Sequence, residues 1–274
     1  MCFTLDRNEN ERFNRYPQKS QELEMIERFS QELEEKIATI QALNSSERPA
    51  AIADMVHAAQ FDKAQNPYIG HPRRVSFFAS LMLSELNERF SAAEAEVAVQ
   101  AAWLHDVLED SGTNGFPQIF SDDLIGWGVS QEVVEIVELL SKNDSATKVD
   151  EPSEDPYYVA IKSNKLARLV KIADLADNCN KQRVAVLKTK GVKDKVPYYA
   201  KAIEFLNLDP KERDMFDSRV DMDVEITQEA WNNRNLSWLE RDKDKPVIPG
   251  RMTFGQLYRK ARAEKDAKNT SSED

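Results

Sequence analysis

Glycine is scarce in this sequence, at 8 of 274 residues, and runs of β-branched residues are few. With Ala, Leu, Glu and Lys frequent, little is left from which to build strands and tight hairpins, and an all-α fold is expected. Cysteine is nearly absent. Cys2 and Cys179 make neither a disulfide framework nor a C-x-x-C pair, so a reducing compartment is expected. Long apolar runs are missing too. Nowhere do about 18 apolar residues follow one another, and the opening MCFTLDRNENERF holds no apolar leader core. The expectation is a soluble, cytoplasmic chain with no membrane partner. Basic residues are outnumbered, 37 to 48, for a net charge of −11. Phosphate backbones need a basic surface, so no nucleic-acid partner is expected either. An anionic ligand would need a local basic pocket or a metal to overcome that charge.

What is present suits a globular protein. A 41% hydrophobic and 31% charged composition is too apolar for a disordered chain. Residues 18–43 repeat Leu23, Ile26, Phe29, Leu33, Ile37 and Ile40 at three- and four-residue steps, as one amphipathic helix does, with Ser20 and Glu24 near its start. A second helix is expected through AAIADMVHAAQFDKA, ending at the turn-rich QNPYIGHP. RRVSFFASLMLSELN is apolar on most sides and reads as buried. Ser91 and Glu94 are spaced as a capping box for one helix over SAAEAEVAVQAAWLHDVLED. Shorter helices fit SDDLIGWG and SQEVVEIVELLSK, and residues 142–156 read as a long loop. SNKLARLVKIADLADNCNKQR and VPYYAKAIEFL are helical in pattern. Beyond about residue 210 the pattern weakens, with a short helix at TFGQLYRKARAEKDAK and a ragged end. The expected organisation is an N-terminal helical extension over 1–46, a helical domain over 47–210, and a partly irregular C-terminal extension over 211–274.

Only three histidines occur, His57, His71 and His105, and all fall within residues 57–105. The last lies in WLHDVLED, where one histidine and three carboxylates alternate with large apolar side chains. On a helix His105 and Glu109 share a face, and so do Asp106 and Asp110. His105 and Asp106 point about 100° apart, so both border one cavity if it sits over the seam between them. In VKIADLADN, Asp174, Asp177 and Asn178 project together, and Asp174 is flanked by Ile, Ala and Leu. A buried carboxylate is costly unless paired or bound to metal. Two imidazoles and two carboxylates from three helices would meet that cost by coordinating one divalent cation.

These segments together resemble a known family. VHAAQFDKAQNPYIGHPRRV is similar to the hydrolase segment of the RelA/SpoT enzymes, which opens with Ala-His-x-x-Gln and runs into Pro-Tyr-Ile-x-His-Pro. LHDVLEDSGT resembles their His-Asp-x-x-Glu-Asp motif, and LVKIADLADN their Lys-Leu-Ala-Asp segment. Order and spacing agree across residues 51–182. The resemblance implies an HD-domain helical bundle, metal-dependent phosphohydrolase activity, and one metal, usually manganese, held by His57, His105, Asp106 and Asp174. Mixed imidazole and carboxylate ligands suit Mn²⁺, and fit Fe²⁺ or Zn²⁺ as well. It also implies Glu109 and Asp110 as the pair that orients or deprotonates the attacking water. His71, at the His-Pro position, is implied to be no ligand but to hydrogen-bond in the pocket or fix the turn. Lys63 is implied at the pocket rim and Asn178 on the nucleotide sugar; Lys142 and Lys181 are weaker candidates for phosphate contacts.

The pattern departs from the family where the base would be read. The family's Arg-Lys-Ser run is Asp62, Lys63, Ala64 here. Leu175 follows Asp174 in place of a basic residue, and Asp177 replaces the His or Tyr before Asn178. The reaction class is therefore better supported than the substrate. The expected partner is a small phosphorylated nucleotide, with (p)ppGpp losing its 3′ pyrophosphate as the first expectation. NADPH or another nucleotide is the alternative, as is a nucleotide-binding protein of weak turnover. No synthetase, TGS or ACT segment is visible, which suggests a stand-alone small hydrolase. Oligomeric state is not readable from the sequence.

Overall fold

The computed structural model describes residues 31–113, 116–142 and 149–222. It divides into two compact units, Met1–Asn44 and Ser45–Asp274. In the first, residues 31–42 are helical (α1). The expected start of that helix, around Ser20, lies outside the described residues. So do part of the 142–156 loop and the short helix expected in TFGQLYRKARAEKDAK.

The second unit is built from helices: α2 (Arg48–His57), α3 (Gly70–Glu85), α4 (Ala92–Leu104), α5 (Val107–Asp110), α6 (Ser121–Gly126), α7 (Gln131–Leu140), α8 (Pro156–Ser163), α9 (Lys165–Asn178), α10 (Lys181–Thr189), α11 (Val196–Leu206) and α12 (Pro210–Val220). Among the described residues there is no strand; the one extended pairing is an isolated bridge between Phe61 and Pro67. The fold is all-α, as the scarcity of glycine and β-branched runs predicts.

Helix α9 is the axis of this unit, packing against α3, α4, α7, α8, α11 and α12. Its sequence explains why. Ala167, Leu169, Val170, Ile172, Ala173, Leu175 and Ala176 are all buried, and a helix with apolar residues spread round its circumference packs inside a bundle. Asn164 caps it, accepting from the amides of Leu166 and Ala167 at 3.0 Å each. Helix α4 begins with the expected Ser91–Glu94 capping box. Ala98, Ala101, Ala102 and Leu104 are fully buried in it.

Four boundaries differ from the sequence pattern, each for a local reason. Helix α2 stops at His57 instead of running to Ala64. The Asp62 carboxylate accepts from the amides of Ala64 and Asn66 at 2.8 Å each, and Gln65 takes φ of 66°, so the chain turns. The helix expected over 91–110 breaks at His105–Asp106. There the His105 ring turns back onto the carbonyl of Ala102 at 2.8 Å, the acceptor that a continuing helix gives the Asp106 amide. The helix expected over 163–183 breaks at Cys179–Asn180. Asn180 caps α10 through the Arg183 amide at 3.2 Å and donates to the carbonyl of Met222 at 2.9 Å.

The fourth difference moves a domain edge. Pro210–Val220 is a regular helix where an irregular tail was expected, opened by an Asp209–Glu212 capping box with proline in its first turn. It packs on α9 and α3, so a boundary at residue 210 cuts through the bundle. Its buried face carries Glu212, Phe216 and Arg219. Glu212 takes a two-pronged ion pair from Arg168 at 2.8 Å each. A face buried through charge carries no apolar period, which is why the sequence pattern fades there. The eight residues of α8, opened by the Asp155 cap and Pro156, were likewise hidden beside the polar 142–156 stretch.

Candidate metal centre

The first turn of α3, the α4–α5 break and the middle of α9 bring four side chains together. Nε2 of His71 lies 3.3 Å from Nε2 of His105. It is 3.2 Å from Oδ1 of Asp174 and 3.5 Å from Oδ2 of Asp106. Nε2 of His105 lies 3.1 Å from Oδ2 of Asp106 and 3.8 Å from Oδ1 of Asp174. His71, His105 and Asp106 are the tightest group, with ligand atoms all within 4.8 Å of one another, and Asp174 borders it.

His57 stands outside this group, and His71 takes the place expected for it. Nδ1 of His57 meets Oε1 of Gln60 at 2.7 Å, and its ring lies 5.1 Å from that of Tyr68. Its Nε2 is buried with no partner among the described residues. Because α2 ends at His57 and the chain then turns, His57 faces the turn, while His71 opens α3 and faces α9. Gln60 carries the link onward, donating to the carbonyl of Asp110 at 2.9 Å and to the Thr113 hydroxyl at 3.1 Å. The Ala-His-x-x-Gln stretch thus ties α2 to the end of α5.

The donor set fits a cation. Nδ1 of His105 faces a carbonyl oxygen, and Nδ1 of His71 faces the Asp177 carboxylate at 2.8 Å. Both partners only accept, so each Nδ1 carries the proton and each Nε2 presents a lone pair. Two lone pairs and two carboxylates then converge, a donor set that suits a cation. Without a cation the site draws in a proton instead. Burial lowers the pKa of His105, but Asp106 and Asp174 outweigh it and raise it to about 9. Burial would likewise raise Asp106 and Asp174, yet His105 and Lys171 respectively hold them well below the usual carboxylate range.

Asp174 is held on both oxygens, by Lys171 Nζ at 2.7 Å on Oδ2 and by the Asn178 amide at 2.6 Å on Oδ1. Asn178, expected on a nucleotide sugar, spends its amide on this carboxylate.

The two proposed water-handling carboxylates part company. Asp110 stays close enough to Asp106 to feel its charge. Burial, then Asp106 and Glu109, raise its pKa to about 6. Glu109 is exposed, and its Oε2 accepts from the backbone amide of Lys142 at 3.1 Å. The break at His105–Asp106 undoes the helical register that was expected to aim Glu109 beside the metal.

Of the three lysines expected as substrate contacts, Lys142 is the one tied to the α5 carboxylates, through Glu109. Its ammonium sits over the rings of Tyr157 and Tyr158, at 4.8 and 5.5 Å. Burial first, then Lys171, lowers its pKa. Lys63 is exposed on the Phe61–Pro67 turn. Lys181 pairs with Asp221 at 2.5 Å and lines a separate cleft of about 470 Å³ between α10, α11 and α12. None of the cluster residues lines that cleft, so Lys181 is removed from the centre. Tyr68, Lys171 and Asp177 were not singled out for these roles from sequence; Tyr68 and Lys171 lie inside the quoted motifs, one signal that pointed to them.

Residues 68–179 match a family model described as "HD domain". The match includes His71, His105, Asp106 and Asp174 and leaves out His57 and Lys63. Among solved structures, one from a study titled "A metazoan ortholog of SpoT hydrolyzes ppGpp and plays a role in starvation responses" aligns at 19% identity. It covers 65% of this chain and 94% of that chain, with a TM-score of 0.49. No curated protein matches. Among the described residues, no helix is long and apolar enough to cross a membrane.

Proposed function

We propose that this chain, whose residues 68–179 match the HD domain family model, is a metal-dependent phosphohydrolase that removes a phosphoryl or pyrophosphoryl group from a small phosphorylated nucleotide. (p)ppGpp, losing its 3′ pyrophosphate, is the substrate proposed first, and Mn²⁺ the metal. The observation that carries the reading is the convergence of His71, His105, Asp106 and Asp174 on one point. Those four residues are the proposed ligands. The guanosine choice is supported by the order of QNPYIGHP, HDVLED and KIADLADN along the chain.

A divalent cation held there would lower the pKa of a bound water and draw charge off a phosphoryl oxygen. The side chains divide the remaining work. Asp110, with its pKa raised to about 6, is ionised at neutral pH yet basic enough to accept a proton. Tyr68 holds Asp106 in place through its hydroxyl. Lys142, its ammonium over Tyr157 and its backbone amide on Glu109, offers a cation to phosphate oxygens. Asp62, by contrast, spends its carboxylate on the 62–66 turn, which leaves no guanidinium at that position for a base.

The test is turnover of purified protein with Mn²⁺ on a panel of ppGpp, NADPH and nucleoside mono-, di- and triphosphates, beside an Asp106→Ala control. Release of pyrophosphate from ppGpp above the control is expected. Turnover of NADPH alone would replace the substrate, and no turnover of anything would sink the reading.

A further inference from the structure

One carboxylate behind the cluster gathers an unusual set of partners. Asp177, on α9, is fully buried. Its Oδ2 meets Nδ1 of His71 at 2.8 Å, Nη2 of Arg74 at 3.0 Å and Nη1 of Arg183 at 2.7 Å. Its Oδ1 accepts from Nε of Arg74 at 2.8 Å and from Nη2 of Arg219. Three guanidiniums and one imidazole therefore share two oxygens, and they come from α3, α10 and α12. Arg183 and Arg219 both lie beyond the 68–179 match.

The chemistry of this knot fixes one proton. Nδ1 of His71 also lies 3.1 Å from Nη1 of Arg183, so two placements of its proton compete on distance alone. Asp177 settles the choice. Held by three guanidiniums, it is an ionised carboxylate and only accepts, so a bare Nδ1 lone pair at 2.8 Å would repel it. The proton therefore lies on Nδ1 and is given to Asp177. The approach of Arg183 follows from its own bond to the same Oδ2. Nε2 of His71, left without a proton, faces His105, Asp106 and Asp174.

We propose that Asp177 is the positioning residue of the metal centre: it fixes the tautomer and ring orientation of His71, and Arg219 of α12 fixes Asp177. A carboxylate behind a ligating imidazole orients it and raises its basicity. Here that carboxylate is itself clamped from outside the matched domain, so α12 is a working part of the centre. The inference rests on the reading of His71, His105, Asp106 and Asp174 as a cation site.

The test uses the full chain, stripped of metal, with binding as the readout. Mn²⁺ affinity is measured by calorimetry for the wild type, Asp177→Asn and Arg219→Met. In parallel, ¹⁵N shifts of the His71 ring are recorded in the wild type loaded with diamagnetic Zn²⁺. Asp177→Asn is expected to weaken Mn²⁺ binding about 10–100-fold. Arg219→Met should weaken it less, since Arg74 and Arg183 remain. The wild-type spectrum should place the proton on Nδ1. If Asp177→Asn does not fold, the spectrum and Arg219→Met decide the matter. Mn²⁺ bound equally well by both variants, or a His71 proton found on Nε2, would overturn the proposal while leaving the metal site standing. A wild type that takes up no metal overturns both.

Discussion

The hydroxyl of Tyr68 donates to Oδ2 of Asp106 at 2.7 Å. That donor holds a proposed ligand, and it lowers the pKa of the proposed base, Asp110. Tyr68→Phe keeps the ring and removes the donor. A hydrogen bond to a charged group contributes about 1.5–3 kcal/mol, so kcat/KM with Mn²⁺ should fall roughly 10–100-fold with the fold intact by circular dichroism. Tyr68 also lowers the Asp110 pKa, so the acid limb of the pH–rate profile should move to higher pH. An unchanged profile would remove Tyr68 from the machinery.

Asp110 carries opposite consequences for activity and stability. Its pKa is raised to about 6 by burial and by Asp106. As a base it works ionised, so kcat/KM should fall as pH drops through about 6, and Asp110→Asn should abolish that limb along with most of the activity. For stability, a carboxyl whose folded pKa lies above its unfolded value disfavours folding when ionised. That cost is absent below the unfolded value, near 4, and complete above about 6. Asp110→Asn should therefore stabilise the metal-free protein at pH 8 by on the order of 1 kcal/mol, after discounting for partial exposure, and not at pH 4. Urea unfolding at the two pH values checks this.

The two buried histidines of the His-x-x-Gln and His-Pro segments should behave differently towards metal. His71→Ala removes a proposed ligand and should leave the protein without a bound equivalent of transition metal by elemental analysis. His57→Ala should keep about one equivalent and lose stability instead, by roughly 1–3 kcal/mol, because it leaves the buried Gln60 carbonyl unpaired. The reverse pattern would restore His57 to the ligand set.

Helix α12 should be indispensable to folding. Glu212, 6% exposed, holds Arg168 by both oxygens. Glu212→Ala strands a partly buried guanidinium and should cost about 3 kcal/mol or more, read as a lower urea midpoint with an unchanged slope. A chain ending at residue 209 should fail to give a cooperative transition. If that truncation melts like the full chain, α12 is an accessory.

How much of this was legible in the sequence follows a physical line. The bundle was, because Leu169, Val170, Ile172 and Ala173 repeat with the helical period and helix formers dominate. The pairing of His105–Asp106 with Asp174 was also visible, through acids set in apolar flanks. Breaks were not, because they depend on single side chains competing for backbone groups: Asp62 on two amides, the His105 ring on one carbonyl. Nor was the choice between His57 and His71. Both sit beside one turn, and only the point where α2 stops decides which ring faces α9. Helix α12 escaped because Glu212 and Arg219 bury charge against charge, which an apolar period cannot register.

The bond from Arg219 to Asp177 spans 42 residues, and this gives the centre a history during synthesis. At about 5–20 residues per second, roughly 2–8 s separate the making of Asp177 from that of its last guanidinium. Until then every proposed ligand has been translated, yet the acid behind His71 lacks one of its three cationic partners. A nascent chain reaching α11 is therefore a histidine- and carboxylate-bearing bundle with a loosened grip on its own imidazole. Metal loading should come after α12 has left the ribosome.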